Sequence, residues 1–167
     1  MGIAYRLRQL WANLTAGPLT AQAVAEVAAA LTPGEQDLFA LFSPADQWHS
    51  VRVLHTLREA GYNDPDLAVA ALLHDIGKTR YPLSAWDRTL IVIGQTLLPR
   101  RVTAWGEGPV AGWRRPFVVR AQHPAWGAEM AAANGSRPRV VELIARHAGP
   151  PGDDAVLRAL QWADDRN

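Results

Sequence analysis

From Leu67 to Leu73 the chain runs Leu-Ala-Val-Ala-Ala-Leu-Leu, seven residues without a polar side chain. Asp64-Pro65-Asp66 ahead of it is a helix start: an acidic cap, a proline with its φ already helical, and a carboxylate near the positive end of the dipole. A helix that is apolar on every side has no surface to offer water. The spacing predicts a helix from Leu67 to about Ile76 at the centre of the fold, with other elements around it. That helix carries His74-Asp75 into the interior. Burying a carboxylate costs several kcal/mol unless it is paired or bound to metal.

Elsewhere helix signals recur and strand signals do not. Residues 3–14 place Ile3, Leu7, Leu10, Trp11 and Leu14 at helical spacing. Residues 19–31 are Ala-rich and are expected to end at Pro33-Gly34. Ser43-Pro44-Ala45-Asp46 opens a helix that runs to Gly61. Residues 84–103 are expected to be helical with a break near Pro99, and residues 104–116 to form a Gly- and Trp-rich loop. Pro124 is expected to start a helix ending at Asn134-Gly135. Another covers residues 138–147, and Asp153 is expected to cap the last. The fold class is therefore all-α, a single bundle of eight to ten helices. Residues 1–42 are expected to be a helical extension packed on a core domain of residues 43–167.

Composition narrows the chemistry. The chain has no cysteine, which excludes disulfides, thiolate metal sites and Cys nucleophiles and fits a cytoplasmic location. A metal site must draw on His, Asp and Glu. The net charge of +1 supplies no global field suited to a nucleic-acid polymer or to an acidic membrane. Residues 1–14 alternate Arg with apolar residues, unlike a signal peptide. The longest apolar stretch, Leu90–Leu98, is too short for a transmembrane segment. Residues 3–14 suit packing on the domain; a membrane or a partner is the other use of such a pattern. Of the 17 basic residues only Lys78 is lysine.

The histidines are His49, His55, His74, His123 and His147. Taken singly, each has a plain structural use. His74 can bond a backbone carbonyl while Asp75 caps a turn. His123, before Pro124, can cap a helix, and His147 can sit against a helix dipole. Asp164, beside Asp165, can be a solvated carboxylate. His55, six residues after His49, points to a different side of its helix and is read as structural.

The run Ala70-Ala71-Leu72-Leu73-His74-Asp75-Ile76-Gly77-Lys78, with His49 one helix upstream and Ala163-Asp164 in the last helix, resembles the signature of the HD superfamily of metal-dependent phosphohydrolases. His123-Pro124-Ala125-Trp126-Gly127 resembles the His-Pro-x-x-Gly segment of that superfamily's multi-metal branch, which includes the HD-GYP phosphodiesterases. Ile144-Ala145-Arg146-His147 resembles the next His-bearing helix. The resemblance spans residues 43–166.

It implies a first metal held by His49, His74, Asp75 and Asp164. It implies a second, bridged by Asp75, with His123 and His147. Such an N/O set suits Fe, Mn, Zn, Co or Ni and suits Ca poorly. Asp75 and Lys78 are the expected catalytic groups, with Lys78 also contacting a phosphate. Arg114, Arg115 and Arg146 are candidate substrate contacts; Arg100-Arg101 and Arg114-Arg115 could both flank an anionic substrate, but a solvated face is the commoner fate of such pairs. The expected function is hydrolysis of a nucleotide or other small phosphate ester at a dinuclear site. The alternatives are a mixed-valent di-iron oxygenase, which uses the same ligand order, and a non-catalytic binding module. Arg146 replaces one His of the branch's pair and the Gly-Tyr-Pro segment is absent, so cyclic dinucleotide hydrolysis is not expected. Trp105 and Trp113 are placed as a lid over the site. A homo-oligomer is left open.

Overall fold

The computed structural model describes residues 17–167. Six of its helices start behind a side-chain cap, and these caps set where the chain turns. α1 (Ala21–Ala30) follows Thr20, α2 (Pro33–Phe39) follows Thr32, and α3 (Pro44–Glu59) follows Ser43. α4 (Pro65–Leu73) follows Asp64, whose carboxylate accepts from the Leu67 N–H at 2.9 Å. α5 (Ala85–Leu97) follows Ser84, and α6 (Pro99–Trp105) follows it directly. α7 (Arg115–Ala133) and α8 (Pro138–Arg146) have no side-chain cap, and α9 (Ala155–Asp164) starts behind Asp154. Short 3₁₀ turns occupy Ile76–Arg80 and Gly112–Arg114. No strand occurs among the described residues, so the fold is all-α.

Helix α4 lies at the centre, with α1, α2, α3, α8 and α9 packed against it. Ala70, Ala71, Leu72 and Leu73 are fully buried. This is the fate of a helix with no polar face. α1 and α2 add Val27, Leu31, Leu38 and Phe39 to the same core cluster. The expected helix at residues 3–14 lies outside the described residues.

Four expectations need correction. Pro33 does not end structure; it begins α2. Thr32-Pro33-Gly34-Glu35 is a capping box, with the Glu35 carboxylate accepting from the Thr32 N–H at 2.9 Å. The last helix is capped by Asp154, not Asp153; its carboxylate is also gripped by Arg139 at 2.8 Å. Residues 104–116 are only partly loop, because α6 runs to Trp105 and α7 starts at Arg115. Pro124 lies inside α7 rather than at a helix start.

The turn after α4 is held against α7 by a backbone contact that only glycine permits. A Cβ on Gly77 would lie 2.0 Å from the His123 carbonyl oxygen and 2.6 Å from the Gly127 nitrogen. Neither atom can rotate away. The glycine after His74-Asp75 thus packs on the glycine after His123-Pro124. Gly77→Ala is expected to cost about 3 kcal/mol or more in urea unfolding of the metal-free protein. Gly149→Ala, whose new methyl meets nothing closer than 3.5 Å, should stay within about 0.5 kcal/mol.

Candidate metal centre

Three of the histidines sit where a helix leaves a backbone carbonyl without its usual donor. His74 follows the last turn of α4, and its Nδ1 lies 3.0 Å from the Ala71 oxygen. His147 follows α8, with Nδ1 2.7 Å from the Ile144 oxygen. Helix ends always leave such carbonyls unsatisfied. His123 is in mid-helix, but Pro124 has no N–H for the carbonyl of Arg120, four residues back. That oxygen is 2.8 Å from His123 Nδ1. A carbonyl can only accept, so each Nδ1 carries a hydrogen, and in the neutral ring each Nε2 presents a lone pair. All three lone pairs belong to buried rings.

What those lone pairs face distinguishes a metal site from ordinary buried histidines. His74 Nε2 is buried and has no hydrogen-bond partner. His123 Nε2 and His147 Nε2 stand 3.1 Å apart, where two lone pairs repel unless a cation or proton answers them. Asp75, just past α4, divides its carboxylate between two groups. Its Oδ2 lies 3.9 Å from His49 Nε2 and 3.6 Å from His74 Nε2. Its Oδ1 lies 3.3 Å from His123 Nε2 and 3.7 Å from His147 Nε2. Asp164, at the end of α9, is 3.0 Å from His49 Nε2 and 3.4 Å from His74 Nε2.

Two donors bonded to one transition metal at about 2.0–2.2 Å stand roughly 3–3.5 Å apart. Most of these separations match that spacing, so the donor set fits metal in the absence of any ion. His49, His74 and Asp164 form one candidate group, and Asp75, His123 and His147 another. Sites of this kind are N/O in character, as expected for a chain without cysteine.

A family comparison bears on this geometry. The model described as HD domain matches residues 48–166. The chain belongs to the HD domain family. Neither the curated proteins nor the solved structures compared with it gave a match. HD domains bind divalent metals and are commonly, though not always, metal-dependent phosphohydrolases. The matched residues run from Trp48, beside His49 within α3, to Arg166, just past Asp164, and so include all six clustered side chains.

The centre opens into a cleft of about 730 Å³, a size suited to a small-molecule ligand. His49, Asp75 and His123 form its floor side, and Lys78 lines it with Nζ on Asp75 Oδ2. Three arginines that sequence reasoning passed over also line it: Arg52, Arg88 and Arg120. Arg88 pairs with Asp46 at 3.3 Å. Gln95, its amide turned oxygen-inward, accepts from the Arg120 guanidinium. The three lie far apart in the sequence, none beside another basic residue, which gave no signal of a shared cleft.

The arginines singled out from the sequence are placed elsewhere. Arg146 bonds Glu142 at 2.9 Å and reaches Asp154 at 3.4 Å. Arg115 pairs with Asp87 at 3.3 Å and donates to the Pro82 carbonyl. Arg114 lies over the Trp113 ring. None of them lines the cleft. Trp105 and Trp113 are not a lid either. Their rings, 5.1 Å apart and edge-to-face, pack against Phe117 and close the 106–114 loop on α7. His55 pairs with Glu26 at 2.7 Å, tying α3 to α1. Gln161 was not foreseen: its amide donates to the carbonyls of His147 at 2.9 Å and Gly149 at 2.7 Å, which holds the chain where His147 leaves α8.

The charges of the cluster are strongly coupled. Burial alone pushes the His74 imidazole down, but Asp75 and Asp164 outweigh it and hold it up at about 9. Burial would raise Asp75; Lys78, and then His74, instead hold it well below the usual carboxylate range. Burial likewise opposes Asp164, and His74 above all holds it far down. His123 is pushed down, chiefly by burial. In the metal-free protein His74 therefore carries a proton at neutral pH that a metal ion must displace.

Three outcomes follow. Because His74 is raised from its ordinary 6.5 to about 9, its contribution to metal-free stability is complete below 6.5 and is lost as pH rises through 9. Metal binding near pH 7.5 should release about one proton, read from calorimetry in buffers of differing ionisation enthalpy. Pro124→Ala restores an N–H to compete for the Arg120 carbonyl. It should leave Tm unchanged or higher while weakening metal binding by roughly 10-fold to 100-fold in a chelator competition.

Proposed function

We propose that this HD domain is a metal-dependent phosphohydrolase acting on a nucleotide or another small phosphate ester at a two-metal site. The observation that carries the proposal is the divided carboxylate of Asp75: one oxygen faces His49 and His74, the other faces His123 and His147. In this reading His49, His74, Asp75 and Asp164 hold one ion, and Asp75, His123 and His147 hold the other. Bound there, a pair of divalent ions would supply Lewis acidity and activation of water at neutral pH.

The chain's own residues account for the rest. Lys78 stands between Asp75 and the cleft, where its ammonium can exchange its carboxylate partner for a phosphate oxygen and neutralise charge as it develops. Arg88 and Arg120 supply planar donors farther along the same cleft, suited to a phosphoryl group. Leu83 and Ile91 supply an apolar wall for the remainder of the substrate. Asp46 and Asp75 are the acidic residues of that lining, and a free anion entering it therefore meets more positive than negative side chains. The cationic lining supports an anionic, phosphate-bearing substrate.

Protein purified without a histidine tag should contain about two equivalents of transition metal by elemental analysis, and His74→Ala and Asp75→Ala should lose it. The metal-loaded protein should release phosphate from at least one ester in a panel of nucleotides and simple phosphate esters. Lys78→Ala should retain the metal and lower kcat by roughly 10²-fold or more. A fully metallated protein inert across that panel would refute the assignment. Inertness with bound iron, an electron paramagnetic resonance signal and oxygen uptake would replace it with oxygenase chemistry. A wild type that binds no metal after reconstitution would leave a binding module.

A further inference from the structure

Helix α5 has two unlike faces. One carries Arg88, Ile91 and Gln95 into the wall of the cleft. On the opposite side Trp86, Leu90, Ile93 and Leu97 recur at i, i+4, i+7 and i+11, which aligns them in a single stripe. Trp86 is 69% exposed, Leu97 70% and Ile93 46%. Isolated apolar residues on a surface are ordinary, but three exposed ones aligned about a half-buried Leu90 mark an interaction site.

The charges around the stripe indicate its partner. From Thr89 to Pro99 there is no charged residue at all. The run then meets Arg100-Arg101, both exposed at the start of α6. No Asp or Glu occurs from Thr89 to Trp105. A second copy of the chain paired face to face through this patch would bring further arginines and no acid from the patch to answer them. The phosphates of an anionic lipid surface would answer them. Trp86 at one end of the stripe has the amphipathic ring favoured at the headgroup level, and Ile93 and Leu97 suit the acyl boundary beneath it.

We propose that the exposed stripe of α5, with Arg100 and Arg101, docks the protein on an anionic lipid surface. The helix that docks is also a wall of the cleft, so docking holds the cleft beside the membrane. The proposal stands whether or not the centre hydrolyses phosphate esters, because it rests on the outer face of α5 alone. The measurement is co-sedimentation of the full-length chain with vesicles of phosphatidylcholine, with and without roughly a third phosphatidylglycerol.

The wild type should bind the anionic vesicles, less so as salt rises, and bind neutral vesicles much more weakly. The triple variant Trp86→Ser, Ile93→Ser, Leu97→Ser should bind at least about 10-fold more weakly with an unchanged melting curve and metal content, since none of the three lines the cleft. Arg100→Glu with Arg101→Glu should remove the salt-dependent part. Absence of binding to anionic vesicles at low salt would overturn the proposal, as would binding that the triple variant leaves intact or equal binding to neutral vesicles. A dimer in light scattering that the triple variant converts to monomer, without vesicle binding, would assign the stripe to a second copy. No vesicle binding, together with chemical crosslinks from residues 1–16 to the stripe, would assign it to the chain's own N-terminal residues.

Discussion

The centre depends on one kind of hydrogen bond: a histidine Nδ1–H donated to a helix carbonyl that has lost its backbone donor. A helix supplies such carbonyls at its C-terminal end at no added cost, and α4 and α8 each place a histidine there. Proline creates one in mid-helix, and α7 places His123 beside it. In all three cases the backbone fixes the tautomer and the ring plane, so the Nε2 lone pair points inward without help from a second side chain. A metal site gains preorganisation from such outer contacts. Here they come from secondary structure itself.

That arrangement explains why the surrounding packing is so tight. The lone pairs converge only if the end of α4, the middle of α7 and the end of α8 are held at fixed distances. Gly77 against Gly127 brings the first two within backbone contact. Gln161 on α9 holds the chain leaving α8. The apolar body of α4, enclosed by five helices, anchors the whole. The electrostatic cost of burying Asp75 and His74 together is offset by Lys78 and by each other in the metal-free state, and by metal in the proposed bound state.

Helix α5 stands apart from this economy of contacts. It packs on α7 through Gly94 against the Phe117 ring, turns a mixed side of Arg88, Ile91 and Gln95 to the cleft, and leaves an apolar side to solvent. A surface helix normally does the reverse. The conflict between its pattern and its environment is a reason to look outside the chain for what satisfies it.

Much of this protein was determined by its sequence alone. The all-α class followed from helical periodicity and caps, because those signals act within a few residues. Thr32-Pro33-Gly34-Glu35 shows that even a missed helix was locally encoded. The ligand candidates His49, His74, Asp75, His123, His147 and Asp164 could be named because their residue types and order are written in the chain and resemble a known signature. What tertiary structure decided is which groups meet. The sequence could not show that Asp75 splits its two oxygens, that Arg146 is engaged by Glu142 and Asp154, or that Trp105 and Trp113 pack against Phe117 away from the cleft. Nor could it gather Arg52, Arg88 and Arg120 beside Lys78. Those outcomes depend on distances between residues far apart in the chain, set by how helices pack around α4, and no local pattern carries that information.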